Sequence, residues 1–151
     1  MIKLTELIAG KHDKAETLNL LKMMFKRYNV RPKIQFVSSF SGKDAHSMYA
    51  HYDFDRNIIN ISKSMNKNPK EFLISVLHEL YHAMDKKKYG KKFSQAYEME
   101  IAKWQAENPS KADEWYKHNK FEIAAEKFGR REASKWVKIM DHLKNKNNKV
   151  K

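Results

Sequence analysis

Cysteine is absent from this 151-residue chain, which excludes disulfides and every cysteine-based zinc site at once. Glycine and proline are scarce, at 4 and 3 residues, too few for a collagen-like or low-complexity chain. No apolar run approaches membrane-spanning length, because charges interrupt the longest ones. The opening residues, MIKLTELIAGKHDK, lack the continuous apolar segment and small-residue cleavage site of a secretory signal, so a cytoplasmic location with no membrane contact is expected. Acidic residues are also in deficit, 18 against 31 Lys and Arg, for a formal charge of +13. Subtracting the four lysines at 144–151 still leaves the body at +9. A surface of that sign attracts nucleic acid non-specifically, or an acidic protein, yet lysine-rich solubility accounts for it equally well. No paired cysteines, Gly-rich aromatic strand or Arg-dense arm accompanies the charge.

What is present centres on His78-Glu79-Leu80-Tyr81-His82. On a helix, two His four residues apart differ by about 40° around the axis and about 6 Å along it. Both imidazoles can therefore reach one small cation, with Glu79 beside them to take a proton from a water. This is the HExxH arrangement of zinc hydrolases, two ligand nitrogens and a carboxylate reserved for base chemistry. A five-residue pattern also arises by chance, and two hydrogen-bonded histidines are the plainer alternative. The surroundings favour a metal. Asn68-Pro69-Lys70-Glu71 reads as a helix start with a capping box, and Gly90 as the stop after a lysine-rich turn. Between them Leu73, Leu77, Leu80 and Met84 form a core-facing stripe.

The length fits one domain, residues 1–143, followed by a disordered basic tail at 144–151. Residues 14–29 form an amphipathic helix with Leu18, Leu21, Phe25 and Tyr28 on one face, ended by Pro32. Lys33 to Phe40 has the composition of a strand, turned by Ser41-Gly42. Residues 45–62 read as a hairpin: Met48, Ala50 and Tyr52 alternate with Ser47, Tyr49 and His51, and 53–57 form the turn before Ile58-Ile59-Asn60-Ile61. His46 and His51 are expected as exposed strand histidines without ligand roles. An edge strand beside a metal helix is nevertheless a place where extended peptides add. Phe93 to Glu107 is helical, Asn108-Pro109 breaks it, and Ser110 with Asp113 starts a short helix through His118. A long helix then begins at Asn119, with the stripe Phe121, Ala125, Phe128, Trp136, Met140 and Leu143. Gly129 inside it costs about 1 kcal/mol relative to Ala, so a close helix crossing is expected there.

Two histidines hold zinc weakly, so a third ligand must lie downstream. Glu122 and Glu126, one turn apart on the last helix, are both candidates, although Glu122 could be only a capping-box residue after Asn119. Asp85 lies one turn beyond His82, where its short side chain is placed to orient the ring rather than to ligate. Tyr97, Tyr116 and His118 are unranked as donors to a developing oxyanion.

HELYHAMD followed some forty residues later by FEIAAEKFGRR resembles the ImmA/IrrE-type metallopeptidases, small gluzincins also called minigluzincins. The resemblance spans residues 14–143. It implies an α+β, zincin-like domain: N-terminal helix, small three-stranded sheet, HExxH helix and C-terminal helices. It implies His78, His82 and Glu122 as zinc ligands, Glu79 as the catalytic base, and Glu126 as an acid behind a ligand. The expected activity is endopeptidase action on an intracellular protein, in a family whose members are often encoded by phages and mobile elements. Several members carry a further DNA-binding or sensor module, and this sequence has none. Its basic character also resembles SprT-like DNA-linked proteases, without their Cys-rich ribbon. The alternative is a zinc-stabilised protein of low activity that binds nucleic acid or an acidic protein through its surface.

Overall fold

The structure, a computed structural model, describes residues 14–38, 49–62 and 69–148, and the side chains of 17–38, 49–62 and 70–138. The readings at His46, Met48, Ser41-Gly42, Asn68, Met140 and Leu143 fall outside what is described of backbone or side chain. The elements run α1 (Lys14–Tyr28), β1 (Lys33–Val37), β2 (Ala50–Asp53), β3 (Ile58–Ser62), α2 (Pro69–Tyr89), α3 (Lys91–Glu107), a 3-10 segment (Pro109–Glu114), the single-turn α4 (Trp115–His118) and α5 (Lys120–Asn148). The described residues are thus mixed α+β, dominated by helix, with one small three-stranded sheet.

α1 ends before its proline. Asn29 adopts the left-handed conformation, φ 55°, and the Val30 N–H donates to the Phe25 carbonyl, closing the helix four residues upstream of the expected stop at Pro32. The sheet order is β1-β3-β2, with β1 parallel to β3 and β2 antiparallel to it, pairing Tyr52 with Ile59 and Ala50 with Ile61. Among the described strands β2 is therefore at an edge. Its turn is built by Asp53, whose Oδ1 accepts from the N–H groups of Asp55 and Arg56 at 3.0 Å each. The alternation holds for Ala50, His51 and Tyr52, but Tyr49 is buried rather than outward. It sits at a bend before the strand, with its carbonyl accepting from the Ser62 N–H, so the two-residue period does not reach it.

α2 is the centre of the molecule. Phe72, Leu73, Val76, Leu77 and Leu80 are fully buried, packed with Ile59 and Ile61 of the sheet and Leu20, Leu21 and Met24 of α1. Its other side meets α5, the most extensive helix contact in the chain, where Ala125, Phe128, Ala133 and Trp136 are buried. At that crossing a Cβ on Gly129 would lie 2.8 Å from the Ile74 carbonyl oxygen and 3.3 Å from the His78 nitrogen. Only a residue without a side chain lets α5 approach this closely. Trp136 Nε1 donates to Tyr28 Oη at 2.8 Å, fastening α5 to α1 as well.

Gly90, φ 61°, ends α2 by donating to the Lys86 carbonyl. With a one-residue link, α3 folds back and brings Phe93 and Tyr97 over the motif. After Asn108 the helical segment starts at Pro109, not Ser110, which makes no capping bond, and it kinks at Lys111. Asn119 caps α5, its Oδ1 accepting from Phe121 N at 2.9 Å and Glu122 N at 3.3 Å. The helix continues to Asn148, five residues into the expected tail. Residues 144–148 contain neither Pro nor Gly to stop it.

Candidate metal centre

Four ionisable side chains meet at the α2–α5 crossing: His78 at 5% exposure, Glu79 at 7%, His82 at 2% and Glu122 at 5%. Their helices put them there for simple reasons. The i, i+4 spacing sets the two rings edge-to-face on one side of α2, centroids 5.0 Å apart, and the Asn119 cap sets the first turn of α5 opposite them. Glu122 then bridges the pair. Its Oε2 lies 2.8 Å from His78 Nε2, its Oε1 3.1 Å from His82 Nε2, and Tyr97 Oη donates to that same Oε1. Ligand atoms from His78, His82 and Glu122 lie within 4.8 Å of one another.

The capping-box alternative for Glu122 is half right. Its N–H is capped by Asn119, but its carboxylate faces the histidines and Tyr97. Glu126, one turn on, accepts a hydrogen bond from His78 Nδ1 at 3.1 Å and another from Arg130 Nε at 2.8 Å. It therefore stands behind the ring, where it fixes the tautomer that turns Nε2 toward Glu122. Asp85 does not play that part for His82. The His82 Nδ1 is buried without a hydrogen-bond partner, and Asp85, half-buried, reaches it only through its field. His82 Nε2 likewise makes no aligned hydrogen bond despite its closeness to Glu122. An orphaned, fully buried imidazole is costly unless something else uses its lone pair. A cation held by His78, His82 and Glu122 would do so, and the two-nitrogen, one-carboxylate donor set suits one.

The electrostatics are those of a tightly coupled group. Burial pulls the His78 pKa down, but its hydrogen bond to Glu122 and the nearby Glu79 and Glu126 outweigh this and lift it to about 9. Burial opposes charge on Glu122 too, and the hydrogen bond of His78 together with the fields of both histidines overcomes that, holding its carboxyl far below the usual range. Burial raises Glu79, only partly offset by His82 and His78, which leaves a carboxylate with enhanced proton affinity. Glu79 Oε2 accepts from the Tyr52 backbone N–H at 2.9 Å, tying the motif to the outer edge of β2.

A cavity of about 290 Å³ opens over the group, walled by Glu79, His82, Glu122, Tyr97, Tyr116 and the outer side of β2. His51 lies on that wall, although strand alternation alone assigns it no place at the site. Phe54, another residue the sequence leaves unremarked, packs edge-on against His82, centroids 5.8 Å apart. Of the three oxyanion candidates, Tyr97 already donates to Glu122. His118 is exposed and stacked on Trp104 at 3.8 Å, outside the cavity wall. Tyr116 also lines the cavity, its ring parallel to His78 within 13° and its hydroxyl within hydrogen-bonding reach of Glu122.

Fold and site together define an α+β chain with a buried His-His-Glu group able to hold a metal ion. No model of a known family, no curated protein and no solved structure matches this chain.

Proposed function

We propose that this chain is a zinc-dependent endopeptidase with His78, His82 and Glu122 as the metal ligands. The observation that carries the reading is the pairing of an orphaned buried imidazole in a three-ligand cluster with a buried, unligated carboxylate, Glu79, beside it. When bound, zinc supplies a Lewis acid for the scissile carbonyl and makes a water acidic enough to attack near neutral pH. Glu79, anchored through Oε2 to Tyr52, offers Oε1 to accept the proton of the attacking water and hand it to the leaving amine. Tyr116 keeps its proton because burial, Glu122 and Glu126 push its pKa up, so its hydroxyl, now engaged with Glu122, can turn to the oxyanion and donate to it. Glu126 and Tyr97 hold a histidine and the carboxylate ligand in place. An extended peptide is received along the edge of β2, beside Glu79 and His51.

Glu79→Gln keeps the shape and removes the base. Zinc content should stay near that of the wild type, while hydrolysis of a peptide library should fall at least about 100-fold. Equal cleavage by the two proteins would reject this mechanism. Retained binding of nucleic acid or an acidic protein by a wild type that cleaves nothing would favour the alternative, a zinc-stabilised binding protein.

A further inference from the structure

A second cavity, about 600 Å³, lies on the other side of the hairpin turn and shares Tyr52 and Phe54 with the metal cavity. Arg31, Lys86 and Lys87 line it. Through Asn29, Val30 and Arg31 it runs on into a groove of about 420 Å³ along α1, lined by Lys22 and Lys26. Five cationic side chains thus line two neighbouring cavities, the first of which shares a wall with the metal cavity. None of the five forms an ion pair with a described carboxylate. Lys86 donates to Ser94 Oγ, and Lys87 to the Asn29 carbonyl, both neutral acceptors that hold the ammonium groups at the rim without cancelling their charge. Among the described residues Asp55 is the single carboxylate on the walls, exposed at the turn.

We propose that this groove binds an acidic segment of the substrate, flanking the bond presented to the metal site. The proposal rests on the peptidase reading and names the substrate class it selects. Charge complementarity identifies the occupant: five cations against one carboxylate among the described wall residues, in cavities that adjoin the metal cavity at Tyr52 and Phe54. The apolar floor, from Phe25, Val30, Phe54 and Ala83, suits a peptide with acidic and apolar residues interspersed. A nucleic acid is less well served. Half-buried Phe54 has its ring contacts taken up by Tyr52, His82, Phe93 and Tyr97, which leaves little free face for a base to stack on.

The test uses full-length, zinc-loaded Glu79→Gln and two fluorescent twelve-residue peptides, one of alternating Glu and Leu or Gly, the other with Gln in place of Glu. The acidic peptide should bind, the Gln peptide at least about tenfold more weakly, and the difference should shrink from 50 to 300 mM salt. The doubles Lys22→Glu/Lys26→Glu and Arg31→Glu/Lys86→Glu should each weaken the acidic peptide at least about tenfold. Lys103→Glu/Lys138→Glu, at exposed positions outside both cavities, should leave it unchanged. Equal affinity for the two peptides, or equal loss in the distant double, overturns the proposal. So does a single-stranded DNA oligomer that displaces the acidic peptide and loses affinity more steeply in the groove doubles. Because the readout is binding, it is independent of hydrolysis: peptide selection with no cleavage by the wild type would sink the peptidase reading and leave the groove assigned.

Discussion

Gly129→Ala inverts an ordinary expectation. At an exposed helix position, replacing Gly with Ala stabilises by about 1 kcal/mol. Here the new Cβ would meet the Ile74 carbonyl oxygen at 2.8 Å, about 0.6 Å inside ordinary contact at 3.4 Å, and His78 N at 3.3 Å. Both are backbone atoms of α2, so no rotamer relieves the clash, and the helices must part. Overpacking of this kind costs about 1–3 kcal/mol, which matches or exceeds the propensity gain. The larger effect is on the site. Glu122 lies two turns from Gly129 on the same helix and faces His78 and His82 across the same crossing. A few tenths of an ångström of separation should weaken zinc about tenfold or more, as other losses of ligand support do. Zinc affinity from chelator competition, alongside urea unfolding of the metal-free protein, reads both effects. A variant stabilised by the full 1 kcal/mol with unchanged zinc affinity would refute the close-crossing argument.

Further outcomes follow from the same geometry. Glu122→Gln should abolish tight zinc binding, whereas Glu126→Gln should weaken it by about 10–100-fold through a loosened His78; the reverse order in a zinc titration would move the third ligand one turn along α5. Asn119→Ala should cost about 1 kcal/mol and lower zinc affinity with it, since the cap sets the turn carrying Glu122; a loss of stability without loss of affinity would separate the two. In the metal-free protein, His78 titrates near 9 against 6.5 when unfolded, so its contribution is fully present below pH 6.5 and lost as pH rises through about 9. Glu122 has the opposite sign: its pKa is depressed, so its contribution is present above about 4.5 and lost in acid. The pair therefore stabilises most between about 4.5 and 6.5, and zinc, which must displace the His78 proton, should bind more tightly as pH rises from 6.5 to 9. A pH-independent zinc affinity over that range would contradict the coupling.

The parts of this account legible in the sequence were those set by local chemistry. The i, i+4 histidines, the Gly90 stop and the Asn119 cap each act within a turn or two, so spacing alone places them. Gly129 was legible because a glycine inside a helix needs a reason. What spacing could not supply was the partner across that crossing: His78 and Glu122 are 44 residues apart, and only the packing of α5 on α2 brings them within 2.8 Å. The cavity wall was hidden for the same reason. His51 looks like any exposed strand histidine until the sheet order places β2 at the edge, against Glu79. Asp85 fails in the other direction, since being one turn from His82 along the helix does not make it a hydrogen-bond partner.

The most direct test is zinc itself, measured as stoichiometry by elemental analysis and as coordination by X-ray absorption at the zinc edge. The purified wild type should hold about one zinc per chain in a shell of nitrogen and oxygen ligands, two of them imidazoles, and His82→Ala should lose it. A wild type that takes up no zinc from a metal-supplemented buffer, and melts at the same temperature with or without it, would contradict the account at its centre.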